Sequence, residues 1–170
     1  MAIDWMRRLW MFIILLLVQV LILGGVHLFN CATPLVYVWF VTLFPRNYPK
    51  WVILVTSFAL GLAIDVCYNT PGLAASTMTL MAVIQPYYFE LFIPRDSADN
   101  VEPTMKLLGA GKYAFYLGVM VTLYCLVFFT LEMFSFFNLM HWVLCIVGSS
   151  LLTTMLLITF ETARENYRIL

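Results

Sequence analysis

The side chains that could do chemistry in an apolar setting are few and far apart: His27, Asp65, Glu132 and His141, with Ser149 and Ser150 as candidate nucleophiles. An aspartyl protease needs two carboxylates meeting in one site, and Asp65 is the one that falls well inside an apolar stretch. A serine nucleophile needs an imidazole within hydrogen-bond reach, which here would have to be His27 or His141 from another part of the chain. His27, Glu132 and His141 lie near the ends of apolar stretches, where they could form a proton relay or a docking surface, or simply reach water. No H-E-x-x-H, G-x-S-x-G, phosphate-binding loop or dinucleotide fingerprint occurs. The four cysteines, Cys31, Cys67, Cys125 and Cys145, are dispersed, without C-x-x-C or histidines at metal-ligand spacing. They read as small apolar residues; a Cys31 to Cys67 disulfide is open on spacing but is not expected. The expectation is a protein without catalytic residues, metal or cofactor.

The elements that must position these residues are apolar. Of 170 residues 64% are hydrophobic and 11% charged, and the run from Leu9 to Phe44 holds no charged side chain. A soluble core of this size could not hide so much apolar surface. With zero formal net charge and no basic patch, nothing favours nucleic acid. A hydrocarbon layer about 30 Å thick takes about 20 helical residues to cross. On that measure the chain forms a single integral membrane domain over residues 1–170. Its six transmembrane helices are expected near 9–29, 34–44, 51–68, 73–93, 113–131 and 139–160. The second stretch, bounded by Pro34 and Pro45, is a short or tilted span, with a re-entrant segment as the alternative.

All nine Lys and Arg residues fall in alternate gaps between these stretches: Arg7 and Arg8, Arg46 and Lys50, Arg95, Lys106 and Lys112, Arg164 and Arg168. Short basic loops stay in the cytoplasm, so both termini are expected there. Arg7 and Arg8 before an apolar run also suggest a signal peptide, but the run is long and no small-x-small cleavage site follows, so an uncleaved first helix is expected. Trp5, Trp10, Trp51, Tyr87, Tyr88, Tyr113 and Trp142 fall near the expected membrane boundaries, where amphipathic rings prefer to lie. The loop from Arg95 to Lys112 reads as a solvated linker, with a short interfacial helix around Ala98 to Leu108 as the alternative.

Polar groups within the spans need reasons, because lipid does not solvate them. Asp65 lies about 21 Å above Trp51 along the third helix, toward the outer face. Gly61 is one turn below it on the same helical face, with Phe58 nearly another turn before, and the Gly61 and Asp65 pair is expected to point inward. A glycine there lets a neighbouring helix approach. Asn69-Thr70-Pro71-Gly72 then makes a tight outer turn, and Asp65 could cap this hairpin through backbone N–H groups or take part in ligand binding. Gln19, near the middle of the first span, should seek an interhelical hydrogen bond, and Gln85-Pro86 suggests a kink with a polar partner.

Phe58-x-x-Gly61-Leu62-x-x-Asp65, followed by Gly72-x-x-Ala75, resembles the core motif of the MreD family of bacterial rod shape-determining membrane proteins. Length, an uninterrupted apolar stretch near the beginning and a late Leu131-Glu132-x-Phe134 stretch extend the resemblance along the chain. The chain departs from the family pattern at Asn69, where a further glycine is common, and at Gln85, where many members have arginine. The resemblance implies an inner-membrane scaffold of the cell-elongation machinery that makes peptidoglycan. Its implied partners are MreC and, directly or indirectly, the MreB filament and cell-wall synthases. It further implies partner contacts around Asp65 and Gly72 outside, and Arg95, Asp96, Arg164 and Arg168 in the cytoplasm. MreD is similar in plan to the six-helix substrate-binding components of vitamin uptake transporters, which makes a carrier the alternative function.

Overall fold

The computed structural model describes residues 2–23, 33–93, 101–133 and 139–167. Among these residues the secondary structure is entirely helical. Helix α1 (Ala2–Leu17) passes into a π-helical stretch, Val18–Leu23. A 3-10 turn, Val36–Val38, leads into the four-residue α2 (Trp39–Thr42). Then come α3 (Lys50–Tyr68), α4 (Leu73–Glu90), the short α5 (Met105–Leu108), α6 (Ala110–Glu132) and α7 (Leu139–Tyr167).

Among the described residues three helices are long and apolar enough to cross a membrane: Lys50–Tyr68, Ala110–Glu132 and Met140–Arg164, of 19, 23 and 25 residues. Their apolar surfaces are suited to lipid because a helix satisfies its backbone polar groups internally. Helix α4 is more polar, carrying Ser76, Thr77, Thr79 and Gln85, and it buries much of that polarity against its neighbours. Among helix pairs, α3 and α4 pack most extensively, followed by α6 and α7.

The core is built around the stretch expected as the second span. Leu35 to Leu43 are buried without interruption, and Phe44 is fully enclosed. Around them stand Tyr116, Leu117, Met120 and Tyr124 of α6, Met78 and Met81 of α4, Leu60 and Ile64 of α3, and Leu157 of α7. This stretch is not one helix of 34–44. Only Val36–Thr42 is helical, about 12 Å long. The flanking residues are non-helical, consistent with Pro34 and Pro45, because a residue before proline avoids the helical region.

Successive elements run in opposite directions between two ends. One end holds Tyr68, Thr70 and the start of α4. The other holds the start of α3 and the basic residues of α1: the Arg8 guanidinium stands 4.6 Å from the Phe44 ring centre and 4.3 Å from that of Tyr48. Lys50 Nζ lies 4.5 Å from the ring centre of Tyr87.

Several expectations change. The loop before α6 is docked rather than a free linker: Val101 accepts the Arg46 N–H at 3.3 Å, and Glu102 takes a two-pronged contact from Arg7 at 2.8 and 3.0 Å. Only Met105–Leu108 of the alternative helix forms among the described residues. Helix α7 runs on past Phe160, so Glu161 and Arg164 belong to it. Tyr113 is buried against its neighbours. Trp10, Trp51 and Tyr87 are exposed.

Candidate functional site

The end of the bundle away from Arg8 carries the predicted motif. Asp65 sits on the last full turn of α3 and reaches across the hairpin to the start of α4. One carboxylate oxygen accepts the Ala74 N–H at 2.8 Å and the Thr70 hydroxyl at 3.1 Å; the other accepts the Ala75 N–H at 2.9 Å. Gly72 is the N-cap of α4 and has no side chain with which to cap it. The first N–H groups of a helix lack intrahelical partners, and a negative group there also meets the positive end of the helix dipole. Asp65 therefore supplies from the preceding helix the cap that α4 lacks.

The turn between them is set by backbone conformation. Asn69 closes α3 in the left-handed region, φ 56°, its N–H bonded to the Asp65 carbonyl, and Gly72 follows at φ +84°. Asparagine is among the few residues with a side chain that tolerate this region. Asn69 thus stands at a position where glycine is the usual occupant.

Gly61 allows the hairpin to close. A Cβ added there would lie 2.6 Å from the Ala74 carbonyl oxygen and 2.6 Å from the Ala75 Cα, both backbone atoms. With no side chain at Gly61, α4 comes near enough for the Asp65 carboxylate to reach its first N–H groups. Gly61 and Asp65 are buried, as their shared face requires, but Phe58 is 47% exposed and does not point into the bundle. The close approach is at Gly61, one turn further along α3 than the exposed Phe58.

The second polar set holds the irregular backbone of the central stretch. Gln19 uses both ends of its amide: Nε2 donates to the Pro34 carbonyl at 3.0 Å and Oε1 accepts the Val36 N–H at 3.2 Å. Gln19 lies in the π-helical stretch, and its own carbonyl accepts the Tyr68 hydroxyl at 2.8 Å. From α7, Ser149 accepts the Thr33 N–H and Thr153 the Leu35 N–H, each at 3.1 Å. At the other end Gln85 Nε2 donates to the Phe44 carbonyl at 3.1 Å, and the Tyr116 hydroxyl to the Thr42 carbonyl at 3.4 Å. The Tyr37 and Tyr124 hydroxyls are hydrogen-bonded, and Thr77 Oγ1 lies 3.2 Å from that of Tyr124.

Beside the capped hairpin lies a cavity of about 160 Å3, lined by Gln19, Tyr37, Tyr68, Thr70, Phe128 and Glu132 among others. Compared with known proteins, the chain matches no family model, no curated protein and no solved structure. Among the described residues no three His, Cys, Asp or Glu side chains are grouped to hold a metal ion.

The remaining sequence candidates do not assemble into one site. His141 approaches Cys145, with Nε2 3.7 Å from Sγ. Cys67 is a free thiol. Arg164 lies against the bundle, 3.3 Å from the buried Glu161 and 5.9 Å from the centre of the Trp39 ring. His27, Cys31, Arg95, Asp96 and Arg168 lie outside the described residues. Ser149 and Thr153 as backbone acceptors escaped sequence reasoning. Their i, i+4 spacing on α7 was a signal, but it is the same spacing that ordinary helix packing produces.

Proposed function

We propose that the chain is a six-pass membrane protein of the bacterial inner membrane. Its basic end lies in the cytoplasm, and it acts as a non-catalytic scaffold of the cell-elongation machinery in the manner of the MreD family. The observation that carries the scaffold reading is where the interior polar groups go. Asp65, Gln19, Gln85, Ser149 and Thr153 each hold the chain's own backbone. Buried groups used in this way stabilise the bundle and are not set out for catalysis.

The family reading is supported by what the motif residues do. Gly61 allows the close approach, Asp65 caps the next helix and Gly72 turns the chain, a packing signature that would suit presentation of a fixed outer surface to a partner. MreC would meet the Asp65 hairpin end, and filament or synthase contacts would lie at the basic end. Affinity purification of the tagged protein from native membranes in mild detergent tests this, with mass spectrometry of proteins and small molecules. Recovery of MreC and elongation synthases is expected, with reduced MreC capture by Asp65→Ala. Unchanged protein level together with unchanged capture by that variant would remove the hairpin from the interface.

The cavity beside the hairpin favours a second reading, a substrate-binding component of a vitamin uptake transporter. At about 160 Å3 it is below the roughly 300–1,000 Å3 of pockets that enclose drug-sized ligands, which places the scaffold first. A stoichiometric vitamin or an ATPase module in the same purification would reverse that order.

A further inference from the structure

The cavity next to the Asp65 hairpin has a chemical bias that neither functional reading uses. The Tyr68 hydroxyl donates its proton to the Gln19 carbonyl, and the Thr70 hydroxyl donates to Asp65. A hydroxyl has one proton and two lone pairs, so both groups have only acceptor capacity left to offer the cavity. Glu132, also on its lining, is exposed. It has interactions of its own, but a carboxylate has about four lone-pair sites and serves more than one donor. The rings of Tyr37, Tyr68 and Phe128 share the lining, and no Lys or Arg does. Acceptor oxygens, a carboxylate and aromatic faces together attract a cationic donor, through hydrogen bonds and through the negative faces of the rings.

We propose that this cavity binds a primary ammonium group of the ethanolamine class, carried either on a phosphatidylethanolamine headgroup or by a free small amine. The volume of about 160 Å3 suits a headgroup rather than a whole cofactor. The Arg8 and Lys50 end is chemically opposite, so an anion and an ammonium group would sort to different ends of the bundle. The site does not depend on the scaffold reading, because binding is measured on the isolated chain.

The test uses the full-length protein in phosphatidylcholine nanodiscs. In one arm ethanolamine is titrated and thermal unfolding followed, with ethylene glycol and acetate as uncharged and anionic controls. In the other arm phosphatidylethanolamine is included in the disc, and lipid retained on extraction is identified by native mass spectrometry. Stabilisation by ethanolamine alone among the three solutes assigns a free amine; selective retention of phosphatidylethanolamine assigns the lipid; either supports the site. Glu132→Gln, compared with its own ligand-free unfolding temperature, should weaken binding about ten- to a hundred-fold, as expected for a lost hydrogen bond to a charged group. Phe128→Leu, which removes one ring face, should weaken binding without touching the carboxylate. Equal stabilisation by ethylene glycol, full affinity in both variants, or no response to either amine source would overturn the proposal.

Discussion

Asp65 shows how one buried carboxylate can be explained by the backbone it serves. Asp65→Ala leaves the Ala74 and Ala75 N–H groups without their acceptor and should cost about 2–4 kcal/mol. Hydrogen bonds to a charged group are typically about 1.5–3 kcal/mol each, and partners found in the unfolded state within the membrane reduce the sum. Unfolding of the purified variant in detergent measures it; a loss below about 0.5 kcal/mol would show that the cap contributes little. Asn69 gives the opposite sign. Its left-handed backbone, φ 56°, is natural to glycine, so Asn69→Gly should leave stability unchanged or raise it by up to about 1 kcal/mol, whereas Asn69→Val should lower it. A clear loss on Asn69→Gly would mean that the asparagine side chain supports the turn. The cap was legible in sequence because a glycine one turn before an aspartate, then a Pro-Gly turn, describes a local hairpin. The exposure of Phe58 was not legible, because helical spacing relates residues to one another but does not say how far along a helix its neighbour covers it.

At the scale of elements, the central stretch is where sequence reasoning reached least far. Two prolines and eleven residues permitted a tilted span or a re-entrant segment, and the observed form is a short helix whose ragged ends are stitched to its neighbours. Gln19 and Gln85 were recognisable as polar groups in search of partners. Their partners were not, because those partners are backbone groups and every residue has them. Gln19→Leu keeps the side-chain bulk but removes the bonds that Gln19 makes to the Pro34 carbonyl and the Val36 N–H. A stability loss of about 1–3 kcal/mol is expected, since an unpaired buried group costs about 1–3 kcal/mol and relaxation recovers part of two such penalties. Gln19→Glu should not rescue it, because a carboxylate accepts from Val36 but cannot donate to Pro34. Chemical unfolding of the two variants checks both statements, and a stable Gln19→Leu would show that the stretch is held by apolar packing alone.

For the whole molecule, alternation of charge along the chain becomes separation of charge in space. Arg8, Lys50 and the Arg7–Glu102 pair gather at one end, while the Asp65 hairpin stands at the other. Under the proposed topology that separation would have a reason in insertion, since short basic loops are retained on the cytoplasmic side. It is not a device of stability: the Arg7–Glu102 pair is substantially exposed, with side-chain exposures of 46% and 29%, and such pairs contribute at most about 1 kcal/mol. The sidedness is therefore the property to measure. Cys125 and Cys145 are buried and should be inert to aqueous thiol reagents, so replacing Cys31 and Cys67 by serine gives a silent background. Into it are placed single cysteines at two exposed positions, Pro71 in the hairpin turn and Lys112 at the start of α6. A membrane-impermeant maleimide applied to intact cells should modify Pro71→Cys and leave Lys112→Cys untouched until the membrane is permeabilised. The reverse pattern would invert the orientation, and labelling of both from one side would mean that the α3 to α4 hairpin and the α5 to α6 junction share a compartment, which a bundle crossing the bilayer end to end does not allow.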